Sequence, residues 1–238
     1  MITKKTKDLS ECDFQSGEVI LINKPSLWSS FKVVNFIRKV IGVKKVGHAG
    51  TLDPSAEGLL IVCTGKKTKS ISEFQELPKT YRGIITLGIT TPSMDLETDV
   101  IATHPLDKIT LEDIEKARNK FIGEIEQLPP MYSAIKKNGT RLYKLAREGK
   151  TIKREPRKVT VYSFNIFQIE IPDVFFEISC SKGTYIRVIA NDFGNLLGCG
   201  GILSSLNRTK IGDFSAADAL TLKEFKNLAQ SGVEIDSL

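Results

Sequence analysis

Two side chains in one glycine-flanked loop could carry chemistry. His48 and Asp53 lie in residues 47–54, which read Gly-His-Ala-Gly-Thr-Leu-Asp-Pro. A carboxylate held directly before a strand is a candidate for catalysis. Asp-Pro also marks turns, so Asp53 could instead cap a turn with its own side chain. Spacing alone favours this structural alternative, and it favours a loop hydrogen-bonding role for His48.

Several other familiar sites are excluded by the residues present. Residues 60–67 are similar to a P-loop, but Leu60 stands where the first glycine belongs and Lys67 where Ser or Thr must hold magnesium. No G-x-S-x-G elbow occurs, and only two histidines are available for a Ser-His-Asp relay. Four cysteines occur without a C-x-x-C pair, so spacing predicts neither a metal site nor a disulfide framework.

The loop that carries Asp53 lies between a predicted helix and a predicted strand. Ser29 and Ser30 precede apolar residues at helical spacing, and Gly42 is expected to end that helix. The apolar run 59–63 has the length of a buried strand. We therefore expect the loop to connect this helix to this strand.

The rest of the chain alternates irregularly between strand and helix patterns. The patterns predict strands at 19–23 and 81–87, a helix from Thr110 ending near Gly123, two strands joined by a turn within 157–181, a helix at 185–196, a strand around 202–206 and a helix after the capping box of Thr221 and Glu224. We expect one α+β domain over residues 1–238, with a mixed, mainly antiparallel sheet flanked by helices.

Composition and charge point to a protein with a polyanionic partner. The chain has 238 residues, of which 41% are hydrophobic and 26% charged, and its apolar runs are too short to span a membrane. We expect a cytoplasmic protein. Residues 129–158 hold ten basic residues against two acidic ones, whereas the remainder holds 24 against 26. Such a segment can bind a polyanion, or it can be a solvated surface helix that binds nothing.

Five ordered blocks of the sequence resemble the TruB family of bacterial tRNA pseudouridine-55 synthases, which is related to the catalytic subunit of box H/ACA particles. The blocks are Asn23-Lys24-Pro25 with Ser29-Ser30; residues 47–54 continuing to Gly58-Leu59-Leu60; Thr80-Tyr81-Arg82; Pro130-Met131-Tyr132-Ser133-Ala134; and Cys180-Ser181-Lys182-Gly183-Thr184-Tyr185-Ile186-Arg187. The resemblance covers nearly the whole chain and implies the pseudouridine synthase fold.

The resemblance implies an enzyme that isomerises uridine 55 in the T-loop of tRNA. Asp53 matches the family's nucleophile, which acts without metal, nucleotide or redox cofactor. Arg187 matches the arginine that pairs with this carboxylate, and a neighbouring guanidinium typically lowers a carboxylate pKa by roughly one to three units. The alternative for Arg187 is a cation on the surface of a helix.

Four further residues match positions around the flipped base. Tyr81 is expected to stack on the uracil, and Tyr185 and Leu206 are expected to line its pocket. His48 is expected to help displace the nucleotide, a role for which its imidazole need not change protonation state. Ordinary core packing is the alternative for Tyr81, Tyr185 and Leu206. Lys24 and Pro25 are expected to have a structural role.

The basic segment 129–158 matches the family's thumb-like insertion, which closes over the T-arm. We expect backbone phosphate contacts from Lys136, Lys137, Arg141 and Lys144. We expect a monomer that needs neither a guide RNA nor a protein partner. The two competing hypotheses are a non-catalytic RNA-binding protein and a guide-dependent synthase within a larger particle.

The sequence departs from the family pattern at three places. Asn23 and Leu27 stand where the family has Asp and Gly, so a different backbone is expected there. Residues 91–93 lack the family's acid, which leaves Asp95 as the nearest match. The sequence stops soon after the helix that follows Thr221, so we expect no separate C-terminal RNA-binding lobe and heavier reliance on the thumb-like insertion.

Overall fold

A computed structural model describes residues 1–133, 135–137 and 139–231, without the side chains of residues 136, 137 and 231. The chain divides into two compact units. Unit 1 comprises Met1–Tyr81 and Leu206–Leu238, and unit 2 comprises Arg82–Ser205. Within the described ranges, no helix has both the length and the apolar character needed to cross a membrane.

Strands and helices are interspersed along the described part of the chain. The strands are β1 (Val19–Lys24), β2 (Val46–His48), β3 (Glu57–Thr64), β4 (Lys79–Leu87), β5 (Ile89–Thr90), β6 (Ala102–Thr103), β7 (Gly123–Gln127), β8 (Lys136–Lys137), β9 (Thr140–Arg141), β10 (Arg157–Glu170), β11 (Asp173–Cys180), β12 (Gly201–Ile211) and β13 (Phe214–Ser215). The α-helices are α1 (Ser30–Ile41), α2 (Ile71–Glu76), α3 (Leu111–Asn119), α4 (Leu142–Arg147), α5 (Ile186–Leu196) and α6 (Leu222–Ser231).

In unit 1, β3 is the central strand of the sheet. It pairs antiparallel with β1 and β2 and parallel with β12, which pairs antiparallel with β13. Leu60 and Val62 face a core built with α1 and α6, whereas Leu59 and Ile61 face a second apolar cluster. A strand buried on both faces needs a continuous apolar sequence. This explains the run that predicted the strand.

Helix α1 follows its local sequence closely. The Ser29 hydroxyl accepts a hydrogen bond from the Lys32 N–H at 3.1 Å, which satisfies one of the free donors of the first turn. Gly42 ends the helix in the left-handed region at φ 67°, where its N–H donates to the Arg38 carbonyl. The structure confirms the predicted helix and both of its caps.

The turn that precedes α1 contains an unusual residue. Leu27 has φ 63° and its side chain is 84% exposed. The left-handed conformation costs a residue with a Cβ roughly 1–2 kcal/mol, which is why glycine is common at such positions. Leu27 therefore adopts a conformation that favours glycine, and the different backbone expected for this turn stays a prediction.

In unit 2, the strand order is β12, β4, β11, β10 and β7, with β4 and β12 also contributing residues to unit 1. The β10–β11 and β7–β10 pairs are antiparallel, and Ile171–Pro172 forms the predicted turn of the hairpin. Ring contacts join Phe121, Phe164, Phe176 and Phe193 in the core. Mostly antiparallel sheet flanked by helices confirms the predicted α+β class.

The helix predicted from Thr110 is shorter than expected. The capping box of Thr110 and Asp113 is present, but α3 ends at Asn119 and Gly123 begins β7. The buried ring of Phe121 packs against Phe164 in the core, so the chain leaves the helix before the glycine.

Candidate active site

The loop between β2 and β3 carries Asp53 and is tied to α1. The Ser30 hydroxyl accepts a hydrogen bond from the Leu52 N–H at 2.9 Å and lies 3.1 Å from the Leu52 carbonyl oxygen. Beyond Asp53, the Ser26 hydroxyl donates to the Ser55 carbonyl at 3.1 Å. The residues on both sides of Asp53 are thus fixed, while Asp53 itself is half-buried.

Two buried cations also hold this loop. Lys24 and Arg208 are 0% and 1% exposed and are the two largest fully buried side chains in the described part of the chain. The Lys24 ammonium donates to the carbonyls of Pro25 at 2.9 Å, Trp28 at 2.6 Å and Pro54 at 3.2 Å. Buried charges are costly unless hydrogen bonds satisfy them, and these bonds do so. Lys24 therefore links the end of β1 to the residue after Asp53.

Arg208 holds the other end of the loop. Its guanidinium donates to the Leu59 carbonyl at 2.8 Å and to the Gly50 carbonyl at 3.1 Å. A Cβ on Gly58 would lie 2.4 Å from the Arg208 carbonyl oxygen, so glycine is required for β12 to approach β3 this closely. For Lys24 the sequence predicted only a structural role, and Arg208 was not predicted.

The buried cations change the local electrostatics. Burial lowers the pKa of Lys24 to about 8. The carboxylates of Glu57 and Asp53 oppose this shift and raise the pKa, whereas the charge of Arg208 lowers it. Burial also lowers the pKa of His48, against a hydrogen bond with the Gly50 backbone that raises it. His48 is therefore neutral at pH 7, in keeping with a role that requires no titration.

Tyr81 and Leu206, the other candidate residues of unit 1, are partly exposed. Tyr81 lies in β4 and Leu206 in β12, and both side chains are half-buried. Neither is sealed in a core, so both remain accessible for contact with a ligand.

In unit 2, Arg187 forms a buried ion pair with Asp95. The Arg187 Nη1 and Asp95 Oδ2 atoms are 3.1 Å apart, and the side chains are 4% and 8% exposed. Asp95 Oδ1 accepts the Glu97 N–H at 2.9 Å, which orients the carboxylate. Burial excludes the alternative of a surface cation. Asp95, which sequence analysis named only as the nearest acid, therefore positions Arg187, whereas the pairing of Arg187 with Asp53 stays a prediction.

Tyr185 is held at the start of α5. The side-chain amide of the buried Gln127 accepts the Tyr185 N–H at 2.9 Å and donates to the Tyr185 carbonyl at 3.1 Å. The Arg157 guanidinium lies 4.6 Å and that of Arg187 5.9 Å from the centre of the ring. Two cations near one half-buried ring fix its position and make its surroundings electropositive.

The thumb-like insertion contains the hairpin β8–β9 and helix α4. Arg141 and Lys144 are exposed, and no carboxylate lies within ion-pair distance of either in the described part of the chain. Arg147, by contrast, pairs with Glu97 at 2.7 Å. Arg141 and Lys144 are thus available to an anionic ligand, whereas their contact with phosphates stays a prediction. The side chains of Lys136 and Lys137 lie outside the described residues.

Among the described residues, no group of three or more His, Cys, Asp or Glu side chains is placed so that it could hold a metal ion. A tethered loop presents a carboxylate, and buried cations lie next to it.

Comparison with known proteins identifies the family of the chain. Residues 38–186 match the model of the TruB family pseudouridylate synthase N-terminal domain. Residues 187–236 match that of the tRNA pseudouridylate synthase B C-terminal domain. The two models together account for most of the sequence.

Curated relatives match over nearly their full length. A protein of Flavobacterium johnsoniae named tRNA pseudouridine synthase B is 47% identical over 92% of this chain and 98% of its own. A protein of the same name from Chloroherpeton thalassium is 49% identical over 91% and 92% of the two chains.

Solved structures agree in fold. A chain of a Cbf5-Nop10-Gar1 complex superposes with a TM-score of 0.72 at 28% identity, covering 95% of this chain and 58% of that one. A chain of an H/ACA RNP bound to a substrate RNA containing 2′-deoxyuridine gives 0.69 at 25% identity, covering 96% and 61%. This chain thus spans about three fifths of those larger ones. With the family models and the relatives agreeing, the chain belongs to the TruB family of pseudouridylate synthases, which are isomerases.

Proposed function

We propose that this protein converts uridine 55 in the T-loop of tRNA to pseudouridine, with Asp53 as the nucleophile. The observation that carries the proposal is the tethering of the Asp53 loop on both sides by Ser30, Lys24 and Arg208. Preorganised geometry is what a covalent nucleophile needs, because a small misplacement of the attacking atom is costly. The relatives' name, tRNA pseudouridine synthase B, supports the class of substrate.

The proposed reaction is a balanced isomerisation. The Asp53 carboxylate attacks the target nucleotide, and the glycosidic bond between uracil N1 and ribose C1′ breaks. The uracil rotates, and its C5 forms a new bond to C1′ as the bond to Asp53 breaks. The proton on C5 is lost and N1 gains one, so the product has the same composition as the substrate. No cofactor takes part in these steps.

We propose that the other family-matched residues handle the flipped base. Tyr81 stacks on the uracil, Tyr185 and Leu206 line its surroundings, and His48 helps to displace the nucleotide. Flipping costs a few kcal/mol, which such stacking contacts offset. A neutral His48 suits this role, since it can fill vacated space without attracting a phosphate.

Asp95 supports this assignment as a positioning residue. It holds the Arg187 guanidinium through a buried ion pair, and breaking such a pair leaves an uncompensated charge. We propose that Arg187 thereby keeps a fixed orientation for interaction with the anionic groups of the reaction.

The thumb-like insertion is proposed to bind phosphates of the T-arm through Arg141 and Lys144. Replacing both by glutamine should weaken RNA binding. It should also make the plot of log K against log salt concentration less steep by about 1 to 2, since each lost phosphate contact removes roughly 0.7–0.9 from the magnitude of the slope. Fluorescence anisotropy with a T-arm hairpin over a series of salt concentrations measures both quantities.

A matched control uses cations outside the insertion. Lys116 is an exposed residue that pairs with Glu112 at 2.6 Å, and Lys120 is also exposed. Their double replacement by glutamine should leave the salt slope unchanged. Equal slopes for both double variants and the wild type would contradict a phosphate-binding role for the insertion.

The proposed function is tested by tritium release from a tRNA transcript labelled at uracil C5. Conversion of uridine 55 should release one tritium per transcript, and a transcript with cytidine at position 55 should release none. Mapping of the product by carbodiimide and primer extension checks the position. Release from both transcripts would overturn the assignment to position 55, and release from neither would overturn the activity.

We also propose that the whole chain works as one catalytic domain and acts as a cytoplasmic monomer without a guide RNA. The solved relatives in H/ACA assemblies make a guide-dependent synthase the second candidate. A free T-arm hairpin with purified protein distinguishes the two. Conversion of the hairpin supports autonomous action, and conversion only after addition of a guide RNA contradicts it.

A further inference from the structure

Helix α1 carries an aromatic side chain that folding does not bury. Phe31, the second residue of the helix, is 61% exposed. The Arg38 guanidinium lies 5.9 Å from the centre of its ring. Arg38 is in turn fixed by hydrogen bonds from Nη1 to the Asn35 side chain at 3.1 Å and from Nη2 to the Val46 carbonyl at 2.8 Å. The ring thus stands in solvent beside an immobilised cation.

The surroundings of Phe31 are strongly basic. Residues 19–52 contain six lysines and arginines and no aspartate or glutamate. Lys32, Lys39, Lys44 and Lys45 are all exposed. In the described ranges, no carboxylate lies within ion-pair distance of these lysines or of Arg38. The thumb-like insertion is therefore not the one basic surface of this chain.

The position of Phe31 connects this surface to the Asp53 loop. The preceding residue, Ser30, is hydrogen-bonded to Leu52, which directly precedes Asp53. Arg38 is hydrogen-bonded to Val46 in β2, the strand that ends at His48. Both contacts lie within unit 1. Helix α1 is thus hydrogen-bonded both to β2 and to the residue directly before Asp53.

We propose that Phe31, Arg38 and the exposed lysines of residues 32–45 bind an unpaired nucleotide that flanks the target uridine in the substrate RNA. The base stacks on the exposed ring of Phe31, and the lysines contact the adjoining phosphates. Aromatic side chains interleaved with cations are the recurrent means of binding unpaired RNA. The proposal rests on the proposed function in taking RNA as the substrate and the Asp53 loop as the place of its target uridine.

Phe167 is a matched control for Phe31, because it is also an exposed ring with a neighbouring arginine. Phe167 in β10 is 55% exposed, and the Arg82 guanidinium lies 5.6 Å from its ring centre. Arg82, however, is neutralised by Glu177 at 2.7 Å. Phe31 and Phe167 therefore differ in the charge around them, and Phe167 also packs against the Phe175 ring at 6.3 Å. Scattered exposed apolar residues are normal in proteins, and Phe167 represents that ordinary case.

The test measures RNA affinity by fluorescence anisotropy, with a T-arm hairpin and a blunt duplex of the T-stem as probes. Phe31→Ala should weaken hairpin binding about 10-fold, within the roughly 5- to 150-fold range of lost base stacking. Phe31→Trp should remain within about 2-fold of the wild type, since it keeps a stacking surface. Phe167→Ala should change nothing. Binding of the duplex should be equal for all four proteins, because its bases are already stacked.

Equal hairpin affinities for Phe31→Ala and Phe167→Ala would overturn the proposal, and so would an equal loss in Phe31→Ala and Phe31→Trp. Thermal melting checks folding, which substitution of an exposed ring should leave intact. Anisotropy reports RNA binding whether or not the bound RNA is converted, so a failure of the proposed isomerisation would show in tritium release and leave this test decisive on its own.

Discussion

Replacing Asp53 by asparagine is expected to reduce tritium release from C5-labelled tRNA by more than about 10⁴-fold, because loss of a covalent nucleophile removes the reaction path itself. The amide has the shape of the carboxylate but neither its charge nor its nucleophilicity. The tethers of the loop use the backbones of Gly50, Leu52, Pro54 and Ser55, so they are retained in the variant. Single-turnover assays with excess enzyme measure the chemical step.

The control for this prediction is an aspartate that caps a turn. The Asp13 carboxylate accepts hydrogen bonds from the N–H groups of Gln15 and Ser16, both at 2.9 Å. Asp13→Asn should keep the full rate, since asparagine caps turns too. Asp53→Asn should still bind the T-arm hairpin within about 2-fold of the wild type, because phosphate contacts supply most of the affinity. An active Asp53→Asn enzyme would establish the turn-capping alternative.

The elements that the sequence predicted well are those whose signals are local. Helix α1 has its cap at Ser29 and its stop at Gly42 within its own sequence, and the hairpin of β10 and β11 has its turn residues between two apolar runs. The pairs β5–β6 and β8–β9 were not predicted. Each of these strands has two residues, and two residues cannot show a period.

The residue proposed as reactive could be predicted from the sequence, but the groups that hold its loop could not. Asp53 is recognisable because its neighbours form a motif. Lys24 and Arg208 are buried and donate to backbone carbonyls. Every residue has a backbone carbonyl, so the sequence does not indicate which of them accepts a hydrogen bond. Asp95 was missed as the partner of Arg187 because the two are 92 positions apart. Only the fold brings such groups together.

Lys24→Met is expected to have the second largest effect, both on stability and on rate. It removes the ammonium donor from three partly buried contacts with backbone carbonyls, and a polar group left unsatisfied costs up to about 1–3 kcal/mol where it is buried. Loss of the bond to Pro54 also frees the residue after Asp53. Because a small displacement of a reacting atom can cost about 100-fold, we expect kcat to fall by roughly 10- to 100-fold. Thermal unfolding and single-turnover tritium release measure the two effects.

Lys79 provides the matched control for this variant. It is also buried and donates to three carbonyls, those of Phe74 at 3.4 Å, Gln75 at 2.5 Å and Leu77 at 2.6 Å. These bonds lie at the end of α2 and not in the Asp53 loop. Lys79→Met should therefore destabilise the protein to a similar extent and leave kcat unchanged at a temperature where both variants are folded. A similar fall in kcat for both would show that Lys24 acts through stability alone.

The pH dependence of unfolding tests whether Lys24 and Asp53 interact electrostatically. Burial lowers the pKa of Lys24 to about 8 in the folded protein, from 10.5. Below pH 8 both states carry the proton. Between pH 8 and 10.5 the unfolded chain keeps a proton that the folded chain has released, so stability rises with pH. Relative to Lys24→Met, the wild type should gain up to about 3 kcal/mol across this window.

Asp53 gives this titration a specific signature. Its negative charge raises the pKa of Lys24, so Asp53→Asn should lower that pKa and start the rise in stability at a lower pH than in the wild type. Asp13→Asn, which removes a charge elsewhere, should not shift the rise. Each variant differs from the wild type at one side chain, so the contributions of the other titrating groups to the pH dependence of stability cancel in the comparison. If the rise begins at the same pH with and without Asp53, the two side chains are not coupled, and Lys24 holds the loop through the Pro54 carbonyl alone.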